Sequence, residues 1–501
     1  MNVIVIVSDT LRRDHVPCYA RAVVPPHERL GPPYSIYAPH LARFAAGALV
    51  FENAYVASFP TVPCRNDIMT GRYTFTYKPW SPLGDGEVVL AEVLNAAGYV
   101  TALFADTPHP FAPGYNYQRG FQAWEVIRGQ EGDHWKTAPR EVALPAAAAK
   151  LRGGAHVTSQ YLRNVAEREY EADYFPARTV AAAMRWLEKN HRERFFLYVD
   201  TFDPHEPWDP PEHYVRHYGP PFGGDRPIYP RYDVCDYLTA DELRYLRALY
   251  AGEVSMVDHW VGQLLRRVED FGLLDETLIL FMADHGFYLG EHNYIGKSLI
   301  TPEYQQGLPL YPEVARIPLL VRVPGGAAGA RVQAYAQPVD VMPTVLDYLG
   351  VEVPGTCQGR SLLPVLRQEA AQVRPFCVSS PTISGPHVNV PHPTNRCTLT
   401  SGEWMLVFGS QAADAQEGEL THMVDSIRRR IRALEPPPIL PELYHLPTDP
   451  GCAHNLWRQR FDVTQRLHQE LVGFLTAAGM EKRHLRYFEA LPDPGRDAPA
   501  G

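Results

Sequence analysis

The stretch MNVIVIVSDT, residues 1–10, decides the fold because it places an unbroken β-branched run directly before an acidic residue. Residues 3–7 are all Val or Ile, which is typical of a central strand buried on both faces. The run is short and has no basic lead-in, so we interpret it as a strand and not as a signal peptide. The same texture recurs at VTALFA (100–105), RFFLYVD (194–200), TLILFMADHG (277–286) and IPLLVRVPG (317–325).

Segments with helical periodicity lie between these runs, at 86–99, 177–192, 239–272 and 339–350. Strands that alternate with helices predict an α/β fold, with a large, mostly parallel sheet sandwiched by helices. After about residue 370 the texture changes to short antiparallel strands and one helix, which indicates a smaller C-terminal α+β domain. We therefore predict a catalytic domain at 1–370, a small domain at 371–485 and a disordered tail at 486–501.

The composition excludes several classes of protein. The chain has 501 residues, 45% of them hydrophobic and 21% charged, which is ordinary for a globular protein. A net charge of −10, spread along the chain, argues against nucleic-acid binding. No apolar run approaches the roughly 18 residues that span a bilayer, so no membrane partner is expected. The seven scattered cysteines, without CxxC spacing, predict reduced thiols and a cytoplasmic location. A homo-oligomer stays open.

Polar residues end four of the predicted strands. They are Ser8-Asp9-Thr10, 106–109, 200–205 and Asp284-His285. Asp is also common at strand ends that face solvent, so a single case does not indicate a functional site. Ligands of such sheets bind beyond the carboxyl ends of the strands, so the four together predict a functional site.

The stretch SFPTVPCRNDIMTGRY, residues 58–73, carries a family resemblance. TVPCRNDIMTG (61–71) resembles the signature of the sulfatases within the alkaline phosphatase-like superfamily, with Pro63, Arg65, Thr70 and Gly71 at the expected places. The strings SDTLRRDH (8–15), MADHGFYLGEHNYIGKS (282–298) and ELYHLPTDPGCAHNL (442–456) extend the resemblance over nearly the whole chain. It implies a metal-dependent ester hydrolase.

One departure from that pattern affects the predicted chemistry. Thr61 stands where the family has the cysteine that is oxidised to formylglycine, and Cys64 stands at the motif's small residue. Thr61 alone is equally suited to cap a helix. As a nucleophile it carries one oxygen, so water must attack the central atom to release the adduct, which is routine for phosphoryl groups. We therefore favour hydrolysis of phosphate mono- or diesters. The alternatives are a sulfatase without formylglycine, a transferase of the superfamily, and an inactive metal-pocket binding protein.

The resemblance also implies the site residues. Asp9, Thr61, Asp284 and His285 would hold one divalent metal ion per chain, either Ca, Mg, Mn or Zn, although Thr10 replaces a second acidic ligand. Asp284-His285 alone could equally be a capping pair. The predicted catalytic residues are Thr61, Arg65, His109, His205 and Lys297. Arg65 would clamp substrate oxygens, and His205 would hold the substrate or protonate the leaving oxygen near its ordinary titration range.

The predicted substrate is a small-molecule phosphate or sulfate ester. The long loops at 107–145, 203–235 and 298–316 are expected to form the pocket walls. Candidates for the lining are Tyr115, Tyr117 and Trp135, with His387 and His392 from the small domain.

Overall fold

The protein is represented by a computed structural model that describes residues 1–19, 35–300, 305–386, 388–411 and 439–495. His387, one of the candidate lining residues, lies outside the described residues.

Strands and helices alternate along most of the described chain. The strands are β1 (Asn2–Ser8), β2 (Leu49–Ala54), β3 (Ser58–Phe59), β4 (Val100–Ala105), β5 (Ala123–Val126), β6 (Phe195–Thr201), β7 (Asp233–Val234), β8 (Thr277–Ala283), β9 (Tyr288–Leu289), β10 (Tyr294–Gly296), β11 (Ser298–Ile300), β12 (Gln305–Gly307), β13 (Leu319–Arg322), β14 (Arg331–Ala336), β15 (Phe376–Pro381), β16 (Cys397–Ser401), β17 (Trp404–Phe408) and β18 (Glu442–His445). The α-helices are α1 (Pro39–Ala46), α2 (Thr61–Thr70), α3 (Leu90–Ala96), α4 (Ala155–Asn164), α5 (Phe175–Asn190), α6 (Glu212–Val215), α7 (Ala240–Asp270), α8 (Pro312–Ala315), α9 (Val341–Leu349), α10 (Leu363–Leu366), α11 (Phe461–Ala477) and α12 (Lys482–Leu485).

An eight-stranded sheet forms the centre of the fold, in the order β14-β2-β13-β8-β1-β6-β4-β5. The strands from β8 to β5 are all parallel, while β13 runs antiparallel to both of its neighbours. Every residue of β1, β6 and β8 is buried, as continuous apolar runs predict. The predicted α/β class is confirmed.

The longest helix, α7, packs against α5, and a local signal marks its first residue. Thr239 Oγ1 accepts from the Glu242 N–H at 3.2 Å, and Glu242 Oε2 accepts from the Thr239 N–H at 2.9 Å. This reciprocal pair is a capping box, and it fixes the start of the helix. None of the helices within the described ranges combines the length and apolarity needed to cross a membrane. None of the seven cysteines, all of which lie within the described ranges, forms a disulfide bond.

A smaller, five-stranded sheet has the order β18-β17-β16-β15-β3. Its strand β3 comes from the first part of the chain and pairs with β15 in parallel, directly before α2 begins. The small sheet therefore contacts the segment that leads into Thr61. Phe488 is fully buried in the small core, so packing continues past residue 486, where we placed the start of the disordered tail. The proposed division near residue 370 stays a prediction.

Asp67 joins β3, α2 and the turn after α2. Its carboxylate is fully buried and accepts hydrogen bonds from the N–H and hydroxyl groups of both Ser58 and Thr74, at 2.7–2.9 Å.

We expect Asp67→Ala to lower the free energy of unfolding by about 3 kcal/mol, because four buried donors lose their acceptor. Urea denaturation measures this loss. The exposed Asp85 is the control, and Asp85→Ala should cost less than about 0.5 kcal/mol; equal losses would contradict the assignment.

Candidate active site

The carboxyl ends of three neighbouring strands bring three aspartates together. Asp9 follows β1, Asp200 lies next to last in β6, and Asp284 follows β8. The register pairs Ser8 with Thr201 on one side and with Ala283 on the other, so these strands end at the same level. This is the arrangement that the strand-end pattern predicts.

Asp9, Asp284 and His285 form a compact cluster of potential metal ligands. One ligand atom from each lies within 4.8 Å of the others, and all three side chains are fully buried. They are the predicted protein ligands other than Thr61, and the structure brings them together. Asp9 Oδ2 accepts no hydrogen bond from any described residue, although it lies 3.0 Å from Arg65 Nη1, so this buried oxygen can still bind a cation.

Thr10 donates hydrogen bonds to the two carboxylates of this cluster. The sequence analysis noted only that it replaces a second acidic ligand. Its hydroxyl donates to Asp9 Oδ1 at 2.7 Å, and its N–H donates to Asp284 Oδ1 at 2.8 Å. The backbone of this β-branched residue has φ +60°, in the left-handed region that such residues avoid. The hydrogen bonds to both carboxylates accompany that strained conformation.

Arg65, on α2, is buried among the three aspartates. Its Nε and Nη2 donate side-on to Asp200 at 3.1 and 2.7 Å, and its Nη1 lies 3.0 Å from Asp9 Oδ2 and binds Asp284 Oδ2. The side chain does not line the cavity described below. In this arrangement the guanidinium contacts three carboxylates, and the predicted clamp on substrate oxygens stays a prediction.

The pKa values of the two ligand carboxylates shift in opposite directions. Burial, together with the negative charge of Asp284, raises the pKa of Asp9 well above its ordinary value. Burial also acts to raise the pKa of Asp284, but His285, which is protonated only at low pH, and the Arg65 guanidinium lower it overall. A pair of this kind resists full ionisation unless more positive charge is present.

His285 and Lys297 lie side by side at the edge of the cluster. His285 Nδ1 faces the Gly286 carbonyl at 3.0 Å, so Nδ1 carries the hydrogen and Nε2 carries the lone pair. Burial lowers the pKa of His285 to about 3, which keeps the ring neutral as metal binding requires. The Lys297 ammonium lies 3.4 Å from Nε2 and lines the cavity.

Thr61 is the first residue of α2, one helical turn before Arg65 and on the same face. Its side chain lines the cavity, and its hydroxyl has no hydrogen-bond partner among the described residues. The helix start has no side-chain cap, so the capping alternative is wrong. Cys64 is fully buried with a pKa raised well above the ordinary value by burial, which makes it a poor nucleophile.

The cavity beside this cluster has a volume of about 580 Å³. Its walls include parts of all three predicted loops, and they also include residues of the small domain. His109, His205 and His392 line it as predicted, whereas Tyr115, Tyr117 and Trp135 do not. Tyr117 is fully buried in the core instead. The lining residues that sequence reasoning missed are Trp80, Glu131, Arg152 and Tyr232; they belong to loops without a motif, so no local signal identifies them.

The two predicted catalytic histidines differ in environment. His205 is buried with Nδ1 on the Glu206 carbonyl at 2.7 Å, and burial, aided by the charge of Lys297, lowers its pKa well below 6.5. The His205 ring is therefore neutral near neutral pH, which corrects the expected ordinary titration range. His109 Nε2 lies 2.9 Å from Glu131 Oε2. Burial acts to raise the pKa of Glu131, yet the charge of His109 holds it well below the ordinary value.

This geometry agrees with comparisons to known proteins. A family model described as Sulfatase matches residues 1–351. The chain belongs to the sulfatase family. Among the relatives of this sulfatase-family chain is the multifunctional alkaline phosphatase superfamily protein PehA of Trinickia caryophylli, which is 26% identical over 73% of the chain and 77% of PehA. Another is the choline-sulfatase of Rhizobium meliloti, which is 27% identical over 67% of the chain and 68% of that enzyme.

The fold of this sulfatase-family chain also occurs in solved structures. The phosphonate monoester hydrolase of Agrobacterium radiobacter superposes with a TM-score of 0.68 over 95% of both chains, at 21% identity. The predicted family and its class, ester hydrolase, are confirmed, since the relatives are sulfatases and phosphonate monoester hydrolases.

The stability that the ion network around Arg65 provides should depend on pH when EDTA removes any bound divalent metal ion. We expect Arg65→Gln to lower the free energy of unfolding by about 4 kcal/mol at pH 8 in the presence of EDTA, because buried carboxylates lose their partner. The loss should shrink at pH 5, since the variant raises the carboxylate pKa values further and protonation then removes the unpaired charge. Denaturation at both pH values measures it.

Arg43 provides the control, because it forms an exposed ion pair with Glu269 at 2.8 Å. Arg43→Gln should cost less than about 1 kcal/mol at either pH. A loss for Arg65→Gln that is equal at pH 8 and pH 5 would contradict the charge-based explanation.

Proposed function

We propose that this sulfatase-family chain is a metal-dependent hydrolase that cleaves phosphate mono- or diesters through a covalent intermediate on Thr61. The observation that carries the proposal is the position of the Thr61 hydroxyl. It lines the cavity without a hydrogen-bond partner among the described residues, one turn before an arginine that contacts Asp9 and Asp284.

The residues around Thr61 fit a divalent cation. Two carboxylates, one of which has a buried oxygen that accepts no hydrogen bond from the described residues, and a neutral imidazole with its lone pair on Nε2 are a suitable donor set. Asp9, Asp284, His285 and Thr61 would hold the ion, and one ion per chain is proposed. When bound, the ion supplies Lewis-acid stabilisation of the ester oxygens and favours the ionised threonine.

The remaining steps follow from the chain's own residues. Thr61 Oγ1 bonds to phosphorus while the bond from phosphorus to the alcohol oxygen breaks, and Lys297 binds the non-bridging oxygens. His109, whose ring is paired with the ionised Glu131, donates a proton to the departing alcohol. Water then attacks phosphorus, the bond from phosphorus to Thr61 Oγ1 breaks, and Thr61 leaves as the ionised oxygen. His205 Nε2 accepts the proton of that water, and proton exchange with solvent returns His109 and His205 to their starting states.

A phosphate ester is favoured over a sulfate ester because Thr61 has a single oxygen. Unlike hydrated formylglycine, it cannot expel its adduct without attack at the central atom. The sulfatase alternative stays in place because relatives such as choline-sulfatase bear that activity in their names. We propose a small-molecule ester as substrate, without nucleic-acid or membrane partners; the cytoplasmic location and a homo-oligomer stay predictions.

A substrate screen tests the nucleophile. We expect turnover of an aryl phosphate, an aryl phosphodiester or an aryl phosphonate, and a loss of roughly 10³-fold or more in kcat for Thr61→Ala. Thr61→Ser is the control, because it keeps the hydroxyl. Acid quenching followed by intact-protein mass spectrometry should trap phosphate on Thr61. Turnover of an aryl sulfate alone would favour the sulfatase alternative, and no turnover at all would favour the inactive binding protein.

A pair of buried aspartates tests the metal assignment. Asp9 and Asp200 are both fully buried and both contact Arg65, but only Asp9 belongs to the ligand cluster. We expect Asp9→Asn to lower metal affinity by about 100-fold or more and to abolish activity that EDTA also removes. Asp200→Asn should keep the metal content. Elemental analysis after titration measures both, and equal losses of metal would contradict the assignment.

A further inference from the structure

The cavity wall carries a second cation besides Lys297, which is Arg152. Its side chain is 25% exposed and lines the cavity. The backbone around it is fixed, because the Arg152 N–H donates to the Tyr229 carbonyl at 3.0 Å and Leu151 bridges Pro230. The guanidinium is therefore placed by the same loop that supplies the predicted wall at 203–235.

Among the described residues, the hydrogen bond and the ion pairs of this guanidinium all involve Nη1. Nη1 lies 3.4 Å from Glu206 Oε1 and 3.6 Å from Glu131 Oε1, and the group lies over the Tyr232 ring at 4.3 Å. Both carboxylates also accept from tyrosine hydroxyls, of Tyr232 and Tyr229 respectively. Within the described ranges no group accepts a hydrogen bond from Nε or Nη2.

That open edge has the geometry of a side-on fork. The Nε and Nη2 donors of an arginine point in parallel and match the two oxygens of a carboxylate or phosphate. Arg65 uses the same edge to bind Asp200 in this protein, at 3.1 and 2.7 Å. An oxyanion in the cavity would meet Arg152 in the same way.

The cavity separates its two cations. Arg152 and Lys297 are the cations of the described lining, and Glu131 is its one carboxylate. Lys297 contacts His285 and so serves the reacting end of the substrate, whereas Arg152 contacts none of the three candidate metal ligands. Glu206 and Glu131 contact Nη1 of Arg152, so its Nε–Nη2 edge is what remains for a second oxyanion once the ester group is bound.

We infer that Arg152 is a specificity-determining residue that binds a second oxyanion, such as a carboxylate, on the alcohol part of the substrate. This inference rests on the proposed ester hydrolysis. It narrows the substrate class to esters of anionic alcohols.

Paired substrates test this inference. The substrate screen first shows which ester, phosphate, phosphonate or sulfate, the wild type hydrolyses. The 4-carboxyphenyl and 4-carbamoylphenyl versions of that ester are then compared, because they differ by one negative charge on the alcohol part. For the wild type we expect kcat/KM to be about 10-fold higher for the carboxylate substrate, mainly because its KM is lower. The physical reason is that two charge-assisted hydrogen bonds from Arg152 to a carboxylate are among the stronger hydrogen-bond arrangements. The ratio should fall close to one in Arg152→Gln and stay intermediate in Arg152→Lys. A wild-type ratio of one, or a ratio unchanged in Arg152→Gln, would overturn the inference.

Arg231→Gln is the matched control. Arg231 belongs to the wall loop at 203–235, which contacts the backbone of Arg152. It lies over the Tyr237 ring at 4.4 Å and pairs with Asp233 at 3.1 Å, but it is not among the residues that line the cavity. Its variant should keep the wild-type ratio, and a loss there equal to that of Arg152→Gln would indicate damage to the wall instead.

Binding separates this inference from the proposed function. Calorimetric titration with 4-carboxybenzylphosphonate and 4-carbamoylbenzylphosphonate needs no turnover. A preference for the carboxylate that Arg152→Gln removes supports the inference even if no ester is hydrolysed, in which case the proposed function alone fails. Equal binding of the two compounds to the wild type overturns the inference whatever the activity.

Discussion

The pairing of Arg65 with three buried carboxylates is the constraint on which the site depends. A buried charge is tolerated only when it is paired, so Asp9, Asp200 and Asp284 require a cation at the end of the sheet. Arg65 supplies it from α2, and this contact draws the first turn of that helix to the strand ends. Thr61 lies one turn earlier on the same face, so the ion network also sets the position of the proposed nucleophile.

The network is still short of positive charge. Three carboxylates face one guanidinium and the Lys297 ammonium, His285 is held neutral, and Asp9 keeps a buried oxygen without a hydrogen bond. The raised pKa of Asp9 has the same origin, because burial and Asp284 both oppose its ionisation. A divalent cation among these ligands would relieve both conditions at once. The strained backbone of Thr10 has a physical reason here, since its two hydrogen bonds hold the carboxylates in place for such an ion.

The sequence predicts those parts of the molecule that burial dictates. β1, β6 and β8 are covered on both faces, so their residues are apolar without interruption and readily found. β5 and β14 lie at the sheet edges, where exposed residues interrupt the pattern, and they were missed with β2. The strand-end aspartates and the motif around Thr61 were predictable because they are local. The contacts of Arg65 with Asp200 and Asp284 were not predictable, because these residues lie 135 and 219 positions away in the sequence. The burial that lowers the pKa of His205 was not predictable either.

Chemistry and recognition are carried by different parts of the fold. The strand ends and α2 hold the reacting groups, and their geometry follows from sheet register and helix periodicity. The walls that select a substrate are loops, where Glu131 adopts φ +52° and Arg152 lies over a tyrosine ring without any sequence motif. The small domain adds His392 and Thr394 to the same cavity, and the pairing of β3 with β15 fixes it against the segment that begins α2. A loop can therefore change the alcohol that is accepted while Arg65 and the aspartates keep the reaction itself unchanged.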